Sequence, residues 1–178
     1  DSRILILADG MGSGIRANIL ATLTSKIIAT MMYNDMSIDE VVATIAKTLP
    51  LSSVNGVAYS TFSIIQVYYT GEIYVVEYDN PECILVRQGK VKALPFSYRK
   101  IEGKKIRECR FQTLPGDALA IMSDGCLYCG TGDIMNYRWD WNALAGCCES
   151  SAAKTRTAAQ LAEQMNLSLI HISEPTRL

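Results

Sequence analysis

Histidine is almost missing. His171 is the single imidazole in 178 residues, so catalytic arrangements that depend on one, Ser-His-Asp and Cys-His alike, have nothing in the body of the chain to build on. Charge imbalance is missing too. The net charge is −1, and no basic cluster exceeds Arg99-Lys100 or Lys104-Lys105, which argues against a nucleic-acid groove. No apolar run reaches the length of a membrane span, and no signal-peptide pattern opens the chain. An upstream membrane segment stays open, because the first residue is Asp1 rather than Met. A Walker sequence is absent, since no Gly-Lys-Ser/Thr occurs. Gly10-x-Gly12-x-Gly14 is not a dinucleotide fingerprint either: its third glycine falls one residue early, and helix occupies the stretch where the ribose-binding acid belongs.

Six cysteines are present, Cys83, Cys109, Cys126, Cys129, Cys147 and Cys148. Only Cys126-x-x-Cys129 has ligand spacing. No second CxxC follows, so zinc would have to recruit Cys147 or Cys148. Free thiols in a reducing cytoplasm are the expectation, with a metal site or redox pair as the alternative. With nearly half its residues apolar and a fifth charged, the chain has the composition of a globular protein with a substantial core, and one domain is expected.

What the sequence does hold is a repeated junction. Ile4-Leu5-Ile6-Leu7-Ala8 runs into Asp9-Gly10, and Ala118-Leu119-Ala120-Ile121-Met122 runs into Ser123-Asp124-Gly125, about 115 positions later. Short pure apolar runs read as buried strands, and the glycine lets the backbone turn sharply. A carboxylate held there is costly unless paired. If the two strands are neighbours in one sheet, Asp9 and Asp124 converge on a cation. Hard cations such as Mg²⁺ and Mn²⁺ prefer such oxygens. Two of them about 4 Å apart would hold a hydroxide ready for attack on phosphorus. The plainer reading is that Asp9 caps the helix after it.

Residues 15–33 place apolar side chains at steps of three and four, which predicts a helix with much of its surface buried and Met31-Met32 in the core. Asn34-Asp35 breaks it. Ser37-Ile-Asp-Glu40 has capping-box spacing and opens a second helix that Pro50 ends. After a polar connection over residues 51–56, β-branched and aromatic runs predict an antiparallel meander, with strands over 57–69, 72–78, 83–87, 91–94, 106–114 and 118–122. A loop at 130–137 and helices over 140–147 and 152–165 complete the chain.

These pieces, in this order, resemble a known family. Ile6-Leu7-Ala8-Asp9-Gly10-Met11-Gly12-Ser13-Gly14 is similar to the first metal motif of the PPM phosphatases, in the bacterial branch typified by stage II sporulation protein E. Gly116-Asp117-Ala118-Leu119-Ala120-Ile121-Met122-Ser123-Asp124-Gly125 resembles that branch's second metal motif. Between them, Glu77-Tyr78-Asp79-Asn80-Pro81 and Leu85-Val86-Arg87-Gln88-Gly89 resemble its central hairpin. The resemblance covers residues 3–165. It implies an α+β fold, an αββα sandwich of two mostly antiparallel sheets flanked by helices, incomplete here. It also implies Mn²⁺- or Mg²⁺-dependent hydrolysis of phosphoserine or phosphothreonine in a regulatory protein, of which anti-anti-sigma factors are typical, by a metal-bridged hydroxide without a covalent intermediate. By the same analogy Asp9 bridges two metals, Gly10 offers its carbonyl to one, Asp124 binds the other, and the helices over 15–49 couple partner domains to the site.

Two departures qualify this. Strands that precede the first motif in the family are absent from residues 1–8, and no strand carrying a further acid follows Met165. Residues 167–178 instead resemble a translated sequencing-adapter segment, so the phosphatase domain is placed at 1–166, the tail is set apart as non-native, and weak or no activity is expected of the chain as it stands. A catalytically silent, partner-binding module of the same fold is the alternative function. Asp117 is expected in a turn rather than at a metal, and Asp133 in a solvated loop. Trp139 and Trp141 are expected to anchor the start of a helix, with a protein-docking surface as the alternative.

Overall fold

The computed structural model of the chain describes residues 2–10, 12, 14–48, 60–128 and 140–173. In chain order the elements are β1 (Ser2–Gly10), α1 (Gly14–Tyr33), α2 (Ile38–Thr48), β2 (Ser60–Tyr68), β3 (Glu72–Tyr78), β4 (Ile84–Arg87), β5 (Lys90–Lys92), β6 (Ser97–Ile101), β7 (Lys104–Gln112), β8 (Ala118–Ala120), α3 (Gly125–Tyr128), α4 (Trp141–Ala152) and α5 (Ala158–Ser173). Helices and two antiparallel sheets make the α+β class expected from the sequence. One sheet has the order β1-β2-β3-β7-β6 and the other β5-β4-β8.

The chain does not run as one meander. It forms two compact units, one from Asp1–Asn80 and Pro95–Thr113, the other from Pro81–Leu94 and Leu114–Leu178. After β3 the backbone leaves the five-stranded sheet, makes the β4–β5 hairpin in the other, and returns for β6 and β7. Consequently β3 and β4, read from the sequence as parts of one hairpin, do not pair: β3 bonds to β2 and β7, and β4 to β5 and β8.

In the first unit, strand alternation sends Ile4, Ile6 and Ala8 of β1, Phe62 and Ile64 of β2, and Val76 and Tyr78 of β3 to one face. There they pack on Ile28 and Met32 of α1 and Val41, Val42 and Ile45 of α2. The capping box forms as read: Ser37 Oγ and its backbone N–H both donate to Glu40 Oε2 (2.8 and 2.9 Å), and the Glu40 N–H returns a bond to Ser37 Oγ. Asp35 adopts φ 55° and ends α1. Met31 and Met32 are core residues, yet α1 is less buried than its composition suggests. Only Thr24, Ile28 and Met32 are fully covered, and Ile15, Ile19 and Leu23 are exposed on one stripe.

In the second unit, Ile84, Val86, Met122, Leu144, Ala145 and Cys148 form a smaller core. Asp140 caps α4 by accepting from the Ala143 N–H at 2.8 Å. Trp141 packs on the core and donates its indole N–H to the Glu82 carbonyl at 2.9 Å, the anchoring role expected of it. Glu149 of α4 takes Lys90 Nζ and the Val91 N–H, tying the helix to the β4–β5 hairpin. Burial lifts the Cys148 thiol to about 11, an inert core thiol.

Several elements and boundaries differ from the sequence reading. β6 and α3 are additional elements. β8 stops at Ala120, so residues 121–123 are irregular. α4 extends to Ala152, and α5 runs past Met165 to Ser173, because no glycine or proline interrupts it before Pro175. Five cysteines, Cys83, Cys109, Cys126, Cys147 and Cys148, are free thiols. Among the described residues no helix is long and apolar enough to cross a membrane. The helix stop at Pro50, the connection at 51–56, the start of the strand at 57–59, Met11, Ser13, Cys129, the loop at 130–137 with Asp133, and Trp139 lie outside the described residues.

Candidate metal centre

Asp9 stands near the end of β1, one of three nine-residue strands in its sheet. β1 pairs with β2 so that Asp9 lies opposite Thr61 and Gly10 opposite Ser60. Alternation turns Asp9 away from Ile6 and Ala8, onto the face opposite α1 and α2. The Ser60 hydroxyl donates to the Asp9 carbonyl at 2.8 Å and fixes the backbone there. Gly10 is buried, and a Cβ on it would sit 2.1 Å from the Ala17 carbonyl oxygen. Only glycine lets α1 approach β1 this closely. The half-buried Asp9 carboxylate has no hydrogen bond or ion pair among the described residues. It does not cap α1, whose first residue is Gly14.

Polar side chains share that face. Thr61 is 3% exposed, and its Oγ1 has no partner among the described residues. One row further in, Ser63 accepts from Asn80 Nδ2 at 2.9 Å. Glu77, 1% exposed, takes both Nε (2.8 Å) and an Nη (2.6 Å) of Arg107, which also donates to the Asn80 carbonyl at 2.9 Å. Sequence reading missed this group. Its signals were the polar residues of Ser60-Thr61-Phe62-Ser63 within an apolar strand and a glutamate closing Val75-Val76. Both are weak until a register aligns them.

The second junction is built differently. Asp124 lies four residues beyond β8, and its carbonyl accepts the Leu127 N–H at 2.9 Å as α3 begins. It is half-buried. Asp117, at the start of β8, is committed to structure. Arg87 Nε and Nη2 grip its carboxylate at 2.9 and 2.6 Å, and the Leu114 N–H donates to it at 2.9 Å. The Arg87 hydrogen bond holds the Asp117 carboxyl below the ordinary carboxylate range. This is the turn role expected of Asp117.

β1 and β8 belong to different sheets, so the two acids are not brought together as neighbours in one sheet. Each half stands in its own unit. Among the described residues no three His, Cys, Asp or Glu side chains form a metal-binding group. The donor set at the first junction nonetheless fits a hydrated hard cation. It offers a half-buried carboxylate and, on the opposing residue, a buried hydroxyl, neither with a partner among the described residues.

The family model for stage II sporulation protein E (SpoIIE) matches residues 1–174. The chain belongs to the SpoIIE family. Among solved structures it is similar to the PP2C phosphatase domain, with a fragment of the regulatory domain, of the cell fate determinant SpoIIE from Bacillus subtilis. That match has a TM-score of 0.72 and 20% identity, covering 96% of this chain and 50% of that one. It is also similar to the RsbU and RsbW domains of a Mycobacterium tuberculosis protein, at TM-score 0.67 and 15% identity, covering 97% and 47%. PppA, a regulatory component of the T6SS in Pseudomonas aeruginosa, matches at TM-score 0.61 and 15% identity, covering 96% and 81%. Comparison with curated proteins gives no match. The fold of this SpoIIE-family chain is therefore that of PP2C phosphatase domains, and it spans half the length of the first of these structures.

Proposed function

We propose that this SpoIIE-family domain is a metal-dependent phosphatase that removes phosphate from serine or threonine of a regulatory protein. The observation that carries the reading is Asp9, a half-buried carboxylate at the end of β1 that, like the neighbouring Thr61 hydroxyl, has no partner among the described residues. Asp9, the carbonyl of Gly10 and Asp124 are the residues assigned to hold two Mn²⁺ or Mg²⁺ ions. One similar structure, the B. subtilis SpoIIE phosphatase domain, was obtained after Mn presoaking (TM-score 0.52, 15% identity), which supports manganese. Such ions supply, when bound, a strong nucleophile at neutral pH and charge stabilisation at the phosphoryl group. The chain's own part is to hold oxygen donors in place. Ser60 and the packing of Ala17 on Gly10 fix the first junction, and the Arg87–Asp117 grip fixes the start of the strand that leads to the second.

PppA is described as a key regulatory component of the T6SS, which supports a phosphorylated regulatory protein as substrate. Five free thiols support a reducing, cytoplasmic setting. A second reading, a partner-binding module without turnover, is favoured by the lack of a three-ligand group among the described residues. Thermal unfolding against Mn²⁺ tests metal binding directly. Saturation to about 100 times the dissociation constant stabilises the native state by about 2.7 kcal/mol. Asp9→Asn is expected to abolish that shift. Absence of any shift in the wild-type chain at millimolar Mn²⁺ would overturn the metal site. A shift without hydrolysis of phosphoserine peptides would favour the silent module.

A further inference from the structure

The first unit carries a second polar feature at the opposite edge of the same sheet. Antiparallel pairing sets Ser63 against Glu77, Glu77 against Arg107 and Arg107 against Tyr98, so these side chains share one face. The next row on that face, towards the end of the sheet where Asp9 lies, holds Lys105 of β7 and Lys100 of β6, which are register partners. Counting strand spacings of about 4.8 Å, Lys105 lies roughly 14 Å and Lys100 roughly 19 Å from Asp9 across the sheet.

The two dibasic pairs, Arg99-Lys100 and Lys104-Lys105, were separate and unremarkable in the sequence. The β6–β7 pairing makes them one patch. Most of the hairpin's cations are neutralised: Arg99 pairs with Asp39 and Glu108, Arg107 with Glu77, and Arg110 with Glu72. Lys104 lies over the Tyr78 ring and donates to its hydroxyl. Glu102, at the hairpin turn, meets Lys47. Lys100 and Lys105 have no carboxylate partner among the described residues, and both are exposed. Like charges directly opposite across two strands repel. Tyr98 beside them is 55% exposed, with Lys105 Nζ 4.3 Å from its ring centre. The patch thus holds an unrelieved like-charge pair on an amphipathic aromatic, which an anionic partner would neutralise.

We propose that Tyr98, Lys100 and Lys105 form a docking shelf for an acidic segment of a protein partner, which on the phosphatase reading above is the phosphoprotein substrate. The shelf shares its face and its end of the sheet with Asp9, so an extended acidic segment of about five residues spans the interval. Lysines also guard edge strands against pairing with other chains, and β6 is an edge. Charge reversal separates the two roles, because glutamate guards an edge equally well but repels an acidic partner.

The experiment uses the full chain and a fluorescein-labelled twelve-residue peptide of Asp, Glu and Ser, read by anisotropy at low salt and again at 0.5 M NaCl. The wild-type chain is expected to bind, with affinity falling as salt rises. The Lys100→Glu/Lys105→Glu variant is expected to bind at least tenfold more weakly with no change in oligomeric state, an unlowered Tm and an intact Mn²⁺ shift. Asp9→Asn should keep the peptide and lose the Mn²⁺ shift, so failure of the metal reading shows separately from failure of the shelf. Peptide affinity within twofold of wild type in the double variant, or no binding by the wild-type chain at millimolar peptide, would overturn the proposal.

Discussion

Asp9 and Asp124 follow similar apolar runs, yet the two units support them unequally. β1 is hydrogen-bonded to β2 from Ser2 to Gly10, with α1 locked against its last residue by the absence of a side chain. β8 is three residues long, pairs with β4, and is followed by irregular backbone before Asp124. The first acid is set by a continuous ladder and a close-packed glycine. The second hangs from a short strand whose start is held by one ion pair. By their strand ladders, the first junction is the rigid half of this comparison and the second, behind a three-residue strand, the adjustable half.

The largest expected effect lies in the rigid half. Arg107→Ala leaves Glu77 buried without its cation, and loss of one partner of a buried pair costs about 3–5 kcal/mol. Urea unfolding measures this, and hydrogen exchange should show the loss centred on β2, β3 and β7. Gly10→Ala follows, at about 3 kcal/mol, because the new methyl meets helix backbone rather than a flexible side chain. It should also weaken Mn²⁺ stabilisation. If Gly10→Ala proves neutral, the rigidity assigned to the first half is wrong.

In the adjustable half, Asp117→Asn should have a smaller effect with a pH signature. The folded-state carboxyl is held down by Arg87. Its stabilisation is therefore present above the unfolded value of about 3.9 and is lost as pH falls through the lower folded value. The variant should lack that acid-side loss, so wild type and variant should converge in stability once pH has fallen below the lowered folded-state value. Ser37→Ala removes one cap of α2, remote from both acids, and should cost about 1 kcal/mol with no change in Mn²⁺ response. A Mn²⁺ effect from Ser37→Ala would show that the helices are coupled to the metal centre.

What could be read in advance was local. The capping box at Ser37 and Glu40, the break at Asn34-Asp35, and the β3 boundaries depend on neighbours within a few residues. β6 escaped because Ser-Tyr-Arg-Lys-Ile lacks apolar alternation, and only its pairing with β7 makes it a strand. The partition into two sheets escaped because β3–β7 and β4–β8 pairings bridge about thirty residues. Of the site, the two Asp-Gly junctions were visible. Thr61, Glu77 and Arg107 become a group only through register. Proline carried more information than was used: Pro81, Pro95 and Pro115 each lie at or beside a crossing between units, where a residue that cannot donate to a ladder helps the strand stop.

The weaving of the backbone also bears on how the protein is made. Because β3 waits for β7 and β4 for β8, the five-stranded sheet is complete only when the ribosome has delivered residue 112, and the three-stranded sheet only at residue 120. A nascent chain halted earlier displays open strand edges from both units at once. No single proteolytic cut separates the two units, since Pro81–Leu94 of one lies between the two segments of the other. Of the two carboxylates, Asp9 stands on the first strand to be made and Asp124 just beyond the last.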